Sequence, residues 1–133
     1  MNDETLTRIL RECRTLAVVG LSPNPSRASN AVSRYMQAQG YRIIPVNPGQ
    51  TEILGERCYP DLRAIPEPVD LVDVFRNPDD CVPIARDAVA IGAKVLWMQL
   101  GVINEEAKRI AEAGGLTVVM DRCIKIDHMD LMD

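Results

Sequence analysis

Residues 16–30 read LAVVGLSPNPSRASN: a short apolar run, a glycine at position 20, a polar turn, and the start of a segment of helical period. A buried strand that leads through a turn into a helix is the repeating unit of a parallel sheet, because parallel neighbours cannot be joined by a tight hairpin. The first strand is Leu16–Val19. Its helix is predicted from Asn30 to Gln39 and stops at Gly40, a residue suited to the left-handed position that ends helices. Tyr41–Val46 is the second strand. A longer connection, Asn47 to Pro60, and a helical turn at Asp61–Ile65 lead to a third strand at Leu71–Phe75. Pro78 sits where a first helical turn tolerates proline. The helix from Asp79 to Ile91 places Val82, Ala85 and Val89 on one face and delivers the fourth strand, Val95–Met98. Asn104 caps a helix that turns Ala107, Ile110 and Ala111 inward, and Thr117–Met120 is the fifth strand. Ahead of them all, Leu6, Ile9, Leu10 and Cys13 mark an amphipathic helix over residues 3–14, packed on the outside, with its acids early and its arginines late.

Five short, continuously apolar strands alternating with helices give the fold class: α/β, a Rossmann-like doubly wound parallel five-stranded sheet in three α/β/α layers. Right-handed crossovers suggest the order 3-2-1-4-5. The 133 residues suit one domain spanning 1–133, and 47% hydrophobic with 26% charged residues excludes a disordered or collagen-like chain. With 15 basic against 19 acidic residues, a net charge of -4 and 4% aromatics, a nucleic-acid surface is excluded. No apolar run approaches the ~18 residues of a membrane span, and the opening MNDETLTRIL is acidic where a leader would be basic, so the protein is expected to be soluble, cytoplasmic and free of membranes. Cys13, Cys58, Cys81 and Cys123 form no CxxC pair, so no metal site is expected and the thiols read as structural.

Ligands of such sheets bind beyond the carboxyl ends of the strands. That rule selects the loops Gly20–Ser29, Asn47–Gly49, Arg76–Asp79, Gln99–Asn104 and Asp121–Cys123. In the first, a helix N-terminus offers unpaired amides to an anion, and Ser22, Ser26 and Arg27 add hydroxyl and charge-assisted bonds. A plain turn capped by Ser26, Ser29 or Asn30 is the alternative. The dinucleotide fingerprint GxGxxG is met only at Gly20, with Ser22 and Pro25 where further glycines belong, and no carboxylate follows the second strand at Val46, Asn47 or Pro48. An NAD(P)-dependent oxidoreductase is therefore the second reading. The corner at Asn47 suits an adenine, or is a simple turn. Phe75 and Arg76 can cover a base or pair with a phosphate, or be core and solvated respectively. Gln99 and Gly101 can line a cleft, and Trp97 reads as core.

The motifs VVGLSPNPSR, GYRIIPVNP, VDLVDVFRNP, LWMQLG and DRCIKIDH, in this order along residues 13–132, resemble the stand-alone CoA-binding domain family, related to the CoA-binding half of the succinyl-CoA synthetase alpha subunit. The resemblance implies that coenzyme A or an acyl-CoA is the ligand. It places Gly20, Leu21, Ser22, Ser26 and Arg27 around the pyrophosphate, and Val46, Asn47, Pro48, Phe75, Arg76 and Asn77 around the adenosine. Gln99 and Gly101 would line the groove toward the pantetheine arm. Two departures stand out. Gln50 occupies the place of a lysine that can meet the 3'-phosphate, for which Arg27 or Arg76 would substitute, and the synthetase's second domain with its catalytic histidine is absent. The single histidine, His128, reads as an exposed tail residue. Cys123 reads as a buried thiol closing the last strand, or as a partner for the CoA thiol. No nucleophile, base and orienting group assemble, so the expectation is a binding module without catalysis, with a protein partner or a homodimer left open.

Overall fold

The structure, a computed structural model, describes residues 1–132. Helix α1 (Asp3–Glu12) is capped by the Asn2 side chain, which accepts from the Thr5 amide, and buries Leu6, Ile9 and Leu10. Then follow β1 (Thr15–Val19), α2 (Ala28–Ala38), β2 (Arg42–Val46), the two-residue strands β3 (Glu52–Ile53) and β4 (Glu56–Arg57), and β5 (Leu71–Val74). The chain ends with α3 (Cys81–Ala90), β6 (Val95–Met98), α4 (Glu105–Ala113), β7 (Thr117–Val119) and α5 (Ile124–Leu131). Single 3-10 turns stand at Leu62–Ala64 and Pro78–Asp80.

The main sheet is parallel, with the order β2-β1-β5-β6-β7. The expected fold class holds, but the order 3-2-1-4-5 does not: the second sheet strand is at the edge and the first lies between the second and the third. Pro45 supplies the reason. It pairs with Val18 within β2, and its carbonyl accepts the Tyr59 amide on the outer side. The missing N–H of the ring therefore faces the edge, where no ladder bond is lost; an inner position would leave its neighbour short of a donor.

Alternation along the strands divides the core. Leu16, Val18, Leu71, Val95 and Trp97 face α1, α2 and α5, and Ala17, Ile44, Val72, Val74, Leu96 and Met98 face α3 and α4. Trp97 is fully buried, and its indole N–H donates to the Arg122 carbonyl at 2.8 Å. Gly40 ends α2 at φ +93°, as its spacing predicts. Within the connection before β5, β3 and β4 form a small antiparallel hairpin that turns through Leu54 and Gly55, both with positive φ.

The tail corrects the reading of His128. Residues 124–131 form α5, and His128 is buried, not exposed: Tyr35 Oη lies 2.7 Å from its Nδ1, and the rings of Tyr35 and Tyr41 meet it edge-on. Arg122 grips Asp127 through two bonds of 2.8 Å. The helix thus docks partly through paired polar groups, which a hydrophobic pattern does not reveal. Among the described residues no helix is long and apolar enough to cross a membrane, and no cluster of His, Cys, Asp or Glu could hold a metal ion.

Candidate functional site

β1 and β5 are neighbours, and the connections leaving their carboxyl ends run to α2 on one face of the sheet and to α3 on the other, which opens a crevice there. Gly20 forms its floor. Its amide donates to the Val46 carbonyl at 3.0 Å, its φ is +87°, and a Cβ on it would stand 2.5 Å from the Phe75 carbonyl oxygen. Only glycine allows the two strand ends to approach this closely.

The loop beyond it is braced from within. The Ser22 amide donates to Ser29 Oγ at 3.0 Å, Asn30 Nδ2 donates to the Ser22 carbonyl at 2.9 Å, and Ser26 donates through both N and Oγ to Asn24 Oδ1. Arg34 holds the outer side through Asn30 Oδ1 and the Pro25 carbonyl. None of these groups caps α2. Arg27 is at the N-cap in extended conformation with no side-chain capping bond, and the first turn holds no acid. The helix starts at Ala28, two residues before the predicted start, and Ser26, Ser29 and Asn30 are not its caps. The Asn30 amide donates to the Arg27 carbonyl at 3.1 Å, and the amides of Ala28 and Ser29 keep their hydrogens for an outside acceptor.

Two chambers meet over Gly20, Ser22 and Arg76. The first, of about 400 Å³, is walled by Arg27, Ala28 and Ser29 on one side and Phe75 to Asn77 on the other, with Gln99, Leu100 and Val102 beneath. No carboxylate lines it. The second, of about 510 Å³, runs under Val46, Asn47 and Pro48 to Leu62, Pro83 and Ile84, and four carboxylates, Asp61, Asp79, Asp80 and Asp87, line it. Arg76 pairs with Asp80 at 3.1 Å across the shared zone, and Arg63 pairs with Asp87 at 2.7 Å. The first chamber thus carries two arginines and no carboxylate, beside a second lined by four carboxylates.

Ten of the thirteen residues singled out from sequence line this cleft: Gly20, Ser22, Arg27, Val46, Asn47, Pro48, Phe75, Arg76, Asn77 and Gln99. Three do not. Leu21 is fully buried in the core, with its carbonyl accepting from Asn47 Nδ2 at 3.1 Å; Ser26 is exposed and bonded to Asn24; and the Gly101 amide is taken by Asp121 Oδ1 at 2.7 Å. Asn47 lines the cleft, but its amide is already engaged, donating to Leu21 and accepting from Gly49. These bonds fix the corner and leave one N–H and one oxygen lone pair of the amide unused. Phe75 is both readings at once, half-buried against the core and on the wall. Gln50 is exposed, and Cys123, half-buried just before α5, lies off both chambers.

The acids Asp61 and Asp87 and the apolar Leu62, Pro83 and Ile84 escape a reading of the sequence, because they come from the connection before β5 and from the face of α3, which only the tertiary fold brings to this edge. Asp73 escapes it too. It is 1% exposed, and burial pushes its carboxyl up to about 7, while a hydrogen bond from Gln99 Nε2 pulls it down.

A doubly wound parallel sheet with an open crevice at its switch point and a helix N-terminus on the wall defines the Rossmann-like class of α/β domains, whose ligands bind beyond the carboxyl ends of the strands. The chain belongs to the CoA binding domain family, whose model matches residues 14–129. It is 43% identical over 123 residues to the protein YneT of Bacillus subtilis, covering 92% of this chain and 91% of that one. It is 28% identical over 129 residues to the ADP-forming acetate–CoA ligase I of Archaeoglobus fulgidus, covering 89% of this chain but 19% of the ligase. A solved structure of a protein from Pyrococcus horikoshii superposes with a TM-score of 0.98 at 38% identity, over 100% of this chain and 94% of that one.

Proposed function

We propose that the paired chambers hold one molecule of coenzyme A, and that the protein acts as a binding module for CoA or an acyl-CoA. The diphosphate lies over Gly20 and Ser22 against the open amides of α2, between Arg27 and Arg76. The adenosine occupies the chamber under Val46–Pro48, and the pantetheine arm follows Asn77 and Gln99 toward Leu100 and Val102, where an acyl group would emerge. Leu21, Ser26 and Gly101 act from behind the wall, as supports of the turn and of the loop after β6. The observation that carries this reading is the uncapped start of α2 beside two arginines in a chamber without carboxylates. A helix N-terminus contributes about 0.3–1 kcal/mol to an anion, and charge-assisted bonds from the arginines add to it. Membership of the CoA binding domain family, and a relative named as an acetate–CoA ligase, support the choice of ligand.

The four carboxylates of the second chamber leave no place there for the 3'-phosphate, so that group points past Pro48 into solvent beside Gln50. The same carboxylates favour one alternative, a nicotinamide dinucleotide whose free ribose hydroxyls they would accept. Calorimetric titration with CoA, acetyl-CoA, 3'-dephospho-CoA, NAD and NADP tests both. CoA and 3'-dephospho-CoA should bind in the micromolar range within a few-fold of each other, with NAD weaker by about two orders of magnitude. Tighter binding of NAD, or no binding of any of the five below millimolar concentration, would overturn the proposal.

A further inference from the structure

Asp73 lies in the middle of β5, in register with Val18 of β1 and Trp97 of β6, with 1% of its surface exposed. Neither neighbour carries a charge. Its carboxyl takes a hydrogen bond from the amide of Gln99, which is itself 4% exposed and lines the first chamber. A buried carboxylate without a cation is costly in a sheet. Titratable groups on the same face are engaged elsewhere: Tyr35 of α2 with His128 of α5, Tyr41 with the Leu10 carbonyl, and Asp127 of α5 with Arg122. Cys13, after α1, stays a thiol because burial raises its pKa. Asp73 thus has one visible interaction, and that interaction leads to the cleft.

A carboxylate only accepts, so it compels Gln99 to turn its NH2 group inward. The carbonyl oxygen of Gln99 is then left for the chamber. A protonated or amidated residue at position 73 could donate instead, and Gln99 could turn over and show its N–H to the ligand.

We propose that Asp73 is a positioning residue that fixes the sense of the Gln99 amide, so that the cleft offers an acceptor to a hydrogen-bond donor on the pantetheine arm, an amide N–H or the free thiol. This rests on the proposed CoA site for the identity of the ligand, but the coupling of Asp73 to Gln99 does not. Burial places the Asp73 carboxyl near neutrality, so both states are reachable under ordinary conditions.

Two measurements on the full chain test it. In the ligand-free protein, the side-chain amide signals of Gln99 in 1H–15N spectra should move with one midpoint near 7 between pH 5 and 9, and the movement should vanish in Asp73→Asn. A Gln99 signal that stays still in the parent protein, or titrates equally in the variant, overturns the coupling. In CoA titrations, the parent protein should gain about tenfold more affinity between pH 6 and pH 8.5 than Asp73→Asn gains. Equal gains would overturn the positioning role while leaving the CoA site intact. If CoA binds to neither protein at either pH, the CoA reading fails, and the spectra alone decide whether Asp73 governs Gln99.

Discussion

Replacing Gly20 by alanine should destabilise the protein more than any comparable change at an exposed glycine, because two separate penalties meet there. At φ +87° an L-residue is strained by about 1–2 kcal/mol. The added methyl would also stand 2.5 Å from the Phe75 carbonyl oxygen, 2.9 Å from Arg76 Cδ and 3.1 Å from the Phe75 carbonyl carbon. Arg76 can swing away, but the Phe75 backbone is held by its amide bond to the Val19 carbonyl at 2.9 Å. Relief must come from parting β1 and β5, an overpacking cost of about 1–3 kcal/mol. The sum is about 3 kcal/mol, and for a chain of 133 residues that lowers Tm by roughly 10 °C. Gly101 provides the comparison. Its φ is +80° and nothing lies within 4 Å of a built Cβ, so Gly101→Ala bears the backbone term alone, about 1–2 kcal/mol or roughly 5 °C. Thermal unfolding followed by circular dichroism at one pH reads both. Equal shifts for the two variants would refute the close approach of the β1 and β5 ends, and with it the floor of the cleft.

Arg27→Ala should weaken CoA binding about tenfold or more with Tm within a degree of the parent, since the side chain is exposed and packs little; calorimetry and thermal unfolding together check it. Asp73 makes stability fall as pH rises. Its folded value near 7 lies above the ordinary 3.8, so its contribution is complete below about 3.8 and is lost through 7, by at most about 4 kcal/mol; Asp73→Asn should flatten urea-unfolding free energies between pH 4.5 and 7.5. His128 acts in the opposite sense. Burial first and the Arg14 charge second hold its pKa below 6.5, so its stabilising contribution is present above 6.5 and lost as pH falls through the lower folded value; His128→Asn should remove that acid-side loss in the same unfolding series.

Most of the sheet was legible because its signal is local. Alternation of polar and apolar residues is absent from these strands; runs such as Leu16–Val19 and Val95–Met98 are apolar throughout, as strands covered on both faces must be, and Gly40 and Asn104 punctuate the helices where turns and caps require them. The order of the strands was also written in the chain, at Pro45, but its meaning depends on which side of β2 the ring faces. The tail was opaque for another reason: α5 turns Asp127 and His128 inward, and the partners that make this tolerable, Arg122 and Tyr35, are recognisable only in three dimensions. The first chamber came largely from loops chosen by topology. Much of the second is built by Asp61, Leu62, Pro83 and Asp87, residues with no motif of their own. The hydrogen bonds within the Gly20–Asn30 turn likewise could not be read from the chain. They show that Ser22 and Asn30 brace the loop and so leave the start of α2 open.

A crystal structure of the protein grown with coenzyme A tests the central claim most directly. The diphosphate should accept hydrogen bonds from the amides at Ala28 and Ser29, with Arg27 and Arg76 on either side and the adenine beneath Val46–Pro48. Clear density for the coenzyme away from the β1 and β5 strand ends, or a diphosphate that leaves those amides facing water, would contradict it.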